Sequence, residues 1–99
     1  MIVIESWPEA GGSTPAQRRR FTKNVVTIGR AADADFFLDG DQISRGALRV
    51  EVTAGGMVLV DASESGSTIE GVHGWGTRPI REGDDIRVGP YRLAVRRET

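Results

Sequence analysis

Cysteine is absent from the 99 residues and histidine occurs once. Without a thiol there is no disulfide framework, no cysteine nucleophile and no cysteine-based zinc site, a composition that suits a reducing compartment. The single imidazole, His73, has no second ligand near it in sequence and no Ser-His-Asp set to serve. No glycine-rich phosphate loop opens a helix. The expectation is therefore no enzyme, with no catalytic residue, no metal ligand and no cofactor. Apolar runs long enough to cross a bilayer are missing too, and the opening MIVIESWPEA lacks the basic-then-apolar layout of a secretory signal, so a soluble, cytoplasmic domain is expected. Charge of one sign is also lacking: 13 basic against 14 acidic residues leave a net charge of -1. That balance gives no general reason to expect nucleic acid or an anionic membrane as partner. Any anion site has to be local.

Glycine and β-branched residues are plentiful instead. The 13 glycines, many within polar clusters, and the frequent Val and Ile favour short strands joined by tight turns. No segment holds an apolar 3.6-residue period over three turns. The length is that of one domain, residues 1–99, with one core. An all-β sandwich or barrel is expected.

Alternation places strands at 1–7, 21–28, 48–53, 57–60, 78–81, 85–88 and 91–95, with the first and last free to pair and close the sandwich. Ala54-Gly55-Gly56 reads as a hairpin turn. Residues 8–20, rich in Pro, Gly and Ser, read as a flexible loop ending in Arg18-Arg19-Arg20, a run that suits a solvated strand edge or a surface for an acidic partner. The acids Asp33, Asp35, Asp39 and Asp41 surround Phe36, Phe37 and Leu38. A calcium loop would need a central glycine and a closing bidentate Glu, so short Asp-capped turns around a buried strand explain these acids better. Residues 69–77, with three glycines, His73 and Trp75, carry no clear pattern; Trp75 either covers the end of the core or makes an exposed contact with a partner.

The stretch from Thr27 to Val50 organises the rest. Gly29-Arg30 leaves one strand and Ser44-Arg45 enters the next, so two arginines and a hydroxyl at neighbouring strand ends make a small cationic pocket suited to phosphate.

The succession TIGR, DADFFLDG, ISRGALRV, a Gly-Gly hairpin, VLVDASESGST and IREGDDIRVGPYRLAV resembles a forkhead-associated domain, a phosphothreonine-binding module, over residues 25–95. The resemblance implies a two-sheet β-sandwich of about eleven short strands with binding loops at one end. It implies that Arg30, Ser44, Arg45 and Ser65 bind the phosphothreonine, with Gly29 permitting the turn, and that Gly66, Ser67 and Thr68 form the peptide-contacting loop. Two family positions differ. A histidine that braces the serine loop is Ala47 here, and the Asn-Gly pair whose amide grips the bound peptide reads Gly66-Ser67, followed by a matching Thr68. The function so implied is phosphopeptide recognition and protein–protein interaction in signalling or secretion, the partner being a Ser/Thr kinase substrate. The alternative is a degenerate scaffold of the same fold that binds its partner independently of phosphorylation.

Overall fold

The strands form two sheets in this computed structural model, which describes residues 1–8, 15–40, 43 and 48–98. Residues 9–14 of the expected loop lie outside that part, as do Ser44, Arg45 and Ala47. In chain order the strands are β1 (Ile2–Pro8), β2 (Gln17–Phe21), β3 (Val25–Gly29) and β4 (Phe36–Phe37). The hairpin β5 (Leu48–Thr53) and β6 (Gly56–Asp61) follows. The remainder are β7 (Ser67–Ile69), β8 (Val72–Gly74), β9 (Gly76–Ile80), β10 (Ile86–Val88) and β11 (Tyr91–Arg97). One sheet has the order β2-β1-β11-β10-β7-β8 and the other β4-β3-β5-β6-β9. β3 and β4 run parallel, while the other paired strands are antiparallel.

Period-two alternation explains which side chains meet between the sheets. Ile2, Ile4, Ile86, Leu93 and Val95 of the six-stranded sheet join Val26, Ile28, Phe36, Val50 and Leu59 of the other in one buried cluster. Burying each such side chain contributes about 1.5–3 kcal/mol, which the ordering of the chain largely offsets. β1 is buried on both faces. Its outward Val3 lies directly between Arg20 and Arg96, and the outward Glu5 between Arg18 and Ala94.

The Ala54-Gly55 hairpin forms with Thr53 opposite Gly56, and the first strand pairs with the last from Ile2 opposite Arg97 to Pro8 opposite Tyr91, as the alternation indicates. Three expectations need correction. The loop drawn through residue 20 gives way at Gln17 to β2, an edge strand held by Arg18–Glu5 and Arg20–Glu98 ion pairs and by buried Phe21. Residues 21–28 are not one strand, because at 22–24 the chain crosses from the edge of one sheet into the other. Finally, 69–77 is ordered as parts of three strands, with a turn at Glu70 (φ 49°) and Gly71 (φ 82°) between β7 and β8.

Candidate functional site

At the end of β3 the backbone stays extended through Gly29, whose carbonyl accepts from Leu38 N at 2.9 Å, and the bend expected of Gly29 begins at Arg30. Parallel pairing with β4 requires this, since Gly29 stands opposite Phe37. Arg30 Nε donates to the carbonyl of Ile43 at 3.0 Å. Ile43 is buried and joins the core, so the arginine is fixed to a rigid point that directly precedes Ser44 in sequence. That single bond uses one edge of the guanidinium. No carboxylate lies within salt-bridge distance of Arg30 among the described residues.

Of the acids that follow Arg30, Asp35 is engaged elsewhere. Asp35 pairs with Lys23 and accepts from Thr27 N (2.9 Å) and Thr27 Oγ1 (3.2 Å), closing the β3–β4 loop onto β3. The Lys23 ammonium first, then the Thr27 amide, hold the Asp35 carboxyl below its ordinary value of 3.8. A lowered carboxyl pKa contributes stability that is complete above the unfolded value and lost as pH falls through the folded one. Thermal melts of the wild type should therefore drop more steeply below the ordinary carboxylate range than those of Asp35→Asn. Parallel pH profiles would refute this role for Asp35.

The second arm of the site is the β6–β7 loop, residues 62–66. Beneath it Asp61, its side chain wholly buried, accepts from Ser63 N (2.8 Å) and from Ser67 Oγ (2.6 Å). Arg78 of β9 donates to Ser67 O at 3.0 Å and to Ser67 Oγ, and its Nη2 lies 3.8 Å from Asp61 Oδ2. Beside the loop, His73 Nε2 meets Ser65 O at 2.7 Å and Trp75 Nε1 donates to Ser63 O at 2.9 Å, the two rings packing edge to face. Gly66 N donates to Ser63 Oγ at 3.0 Å. Gly66 has φ 75°, and a Cβ there would lie 2.9 Å from Gly74 O and from His73 Nε2. Only glycine fits.

These arms enclose a shallow dimple of about 10 Å³, floored by Ile28, Leu48 and Val88 and edged by Ser63, Ser65 and Gly66. Of the residues read as a site, Arg30, Ser65 and Gly66 lie on its two arms, with Ser65 exposed. Ser67 and Thr68, read as loop residues, belong to β7: Ser67 is buried on Asp61, and Thr68 stands opposite Arg87 and His73. Among the described residues no cluster of His, Asp and Glu is suited to a metal ion. The braces Asp61, Arg78, His73 and Trp75 are absent from the sequence-based site. Asp61 carries a detectable signal, an Asp closing an apolar strand two residues before a Ser, which is an Asx-turn pattern. The other three depend on strand pairing.

The family pattern of the FHA domain matches residues 26–89. This chain belongs to the FHA-domain family. FHA domains are protein-interaction modules, and the two sheets superpose on solved members. The FHA domain of a Chlamydia trachomatis protein gives a TM-score of 0.82 at 14% identity, covering 99% of this chain and 98% of that one. A second FHA domain, from a structural and functional study of phosphothreonine-dependent interactions, gives 0.79 at 24%, covering 99% and 97%. At those identities the likeness is one of fold. Among proteins of stated activity, the oxoglutarate dehydrogenase inhibitor of Corynebacterium efficiens is 26% identical over 93 residues, 94% of this chain. This FHA domain spans 62% of the length of that relative.

Proposed function

We propose that this FHA domain binds a phosphothreonine-bearing segment of a partner protein, a Ser/Thr kinase substrate, in signalling or secretion. The observation that carries the reading is Arg30, pinned through Nε to Ile43 O and without a carboxylate partner among the described residues. A guanidinium held in this way has donors left over for a dianionic phosphate, whose bonds to it are charge-assisted and short. In this reading Ser44 and Arg45, which follow Ile43 in sequence, complete the phosphate pocket, and the exposed Ser65 contacts the phosphothreonine segment from the facing loop. Phosphothreonine dependence, stated for the interactions of a structural neighbour, supports it.

A second reading, docking that ignores phosphate, is favoured by one observation. Val72 and Trp75 are 67% and 52% exposed beside the same loop, an apolar surface on which a partner gains contact without charge. One experiment separates the two: calorimetric titration of a phosphothreonine peptide library and its unphosphorylated twins into wild type and Arg30→Ala. The phosphate reading expects selective binding of phosphopeptides, weakened about tenfold or more by Arg30→Ala. Equal binding of the twins, or full affinity in Arg30→Ala, would reject it. The docking reading expects equal binding of the twins, with loss in Trp75→Ala.

A further inference from the structure

β1, β10 and β11 turn Ile4, Ile86 and Leu93 into the core, so that Trp7, Arg87 and Arg92 face outward on the six-stranded sheet. They form a row, Trp7 directly opposite Arg92 and Arg92 directly opposite Arg87. Over the row lies a cavity of about 290 Å³, lined by these three with Asp84, Asp85 and Ala94. None of its lining residues belongs to the two recognition arms.

Two features of the row are unexplained by the fold alone. The Trp7 indole Nε1 is closed off from solvent and has no hydrogen-bond acceptor among the described residues. Buried donors are almost always paired, which makes this one an exception. The second feature is Arg92. Five arginines face outward on this sheet, and four have a carboxylate: Arg18 at 2.7 Å and Arg96 at 3.0 Å from Glu5, Arg20 at 3.3 Å from Glu98, and Arg87 at 3.1 Å from Asp85. Arg92 has none among the described residues. Its guanidinium is stacked 4.6 Å from the Trp7 ring centroid, facing a like charge across the strand pair. Like charges directly opposite are unfavourable, and the Asp85 carboxylate relieves only the Arg87 side. Asp84, on the cavity wall, accepts from Arg81 N at 2.9 Å.

We propose that this cavity takes an acidic side chain from an extended segment of a partner protein. Its carboxylate pairs with Arg92 beside the Trp7 ring, supplying the missing counter-charge and relieving the repulsion from Arg87. A neutral acceptor such as a peptide carbonyl would leave the guanidinium without a counter-charge, and a basic side chain would be repelled by it. A segment alternating acidic and small residues matches the two-residue period of the sheet face, laying every second side chain toward it. The surface is independent of phosphate reading, so it adds a second point of contact to whatever the loops bind.

The test uses the intact chain and a fluorescently labelled, unphosphorylated peptide of alternating Glu and Ala, with its Lys–Ala counterpart, read by anisotropy. Saturable binding of the Glu peptide, none of the Lys peptide, and weakening of about tenfold or more in Arg92→Gln are expected. Trp7→Ala, which removes the ring that the Arg92 guanidinium stacks on, should weaken binding as well. Arg30→Ala should leave it unchanged, which separates this surface from the loops. Absence of saturable binding, full affinity in Arg92→Gln or in Trp7→Ala, or loss in Arg30→Ala would overturn the proposal.

Discussion

Replacing Asp61 by alanine is expected to lower the unfolding free energy by about 3–5 kcal/mol, seen as a fall in the urea midpoint at unchanged slope. The carboxylate is wholly buried, and every partner it has depends on it. Ser63 N and Ser67 Oγ lose their acceptor, and Arg78, only 18% exposed at its side chain, loses the one carboxylate within 4 Å among the described residues. Arg78 Nε is already buried without a partner among the described residues, so the guanidinium has little left to hold it. Removing one member of a buried charged network strands the others, and that cost exceeds the net worth of the network. Against a total stability of about 5–15 kcal/mol the change is large. Asp61→Asn keeps an acceptor for Ser63 N and should cost less. A loss below about 1 kcal/mol in Asp61→Ala would mean that water replaces the carboxylate and that the network does not support the loop.

What the sequence reveals of this fold depends on how local its signals are. The β5–β6 hairpin is legible because Ala54-Gly55 sits between two alternating strands, so register and turn are set within a few residues. β2 is illegible by the same test. Its side chains are Gln17, three arginines and Phe21, and it is a strand because β1 offers it an edge, Glu5 and Glu98 offer it charge and the core takes Phe21. The site divides in the same way. Arg30 follows a recognisable strand end, so its place at the tip of the sandwich can be read directly. The facing loop is built from contacts between β6, β7, β8 and β9, and nothing near Ser63 or Ser65 in sequence announces that His73 and Trp75 hold them. The resemblance to FHA domains supplies the order of the pieces. It does not supply the braces, because those residues come together only through the pairing of β6, β7, β8 and β9.

Exchanging the two neighbours Ser65 and Gly66 for asparagine, one at a time, should have opposite results. The resemblance aligns the peptide-gripping asparagine of the family with Gly66. The backbone argues for a shift by one. Gly66 has φ 75° and no room for a Cβ, which is the requirement on the glycine of an Asn-Gly pair, and Ser65, exposed just before it, then takes the place of the asparagine. Gly66→Asn drives a side chain against Gly74 O, His73 and Trp75, breaking the brace on the loop at a cost of about 1–3 kcal/mol in stability and abolishing phosphopeptide binding. Ser65→Asn puts an amide on a residue with open space, its carbonyl still held by His73, and should raise phosphopeptide affinity several-fold, the worth of about one further hydrogen bond of 0.5–1.5 kcal/mol. Calorimetric titration with the best phosphopeptide, with urea unfolding alongside to separate binding from stability, reads both variants. If Gly66→Asn binds better than wild type and Ser65→Asn does not, the unshifted alignment is right, and the crowding at Gly66 yields to the larger side chain. If neither variant changes binding, the bound peptide passes this loop without touching it, and specificity belongs to the Arg30 arm.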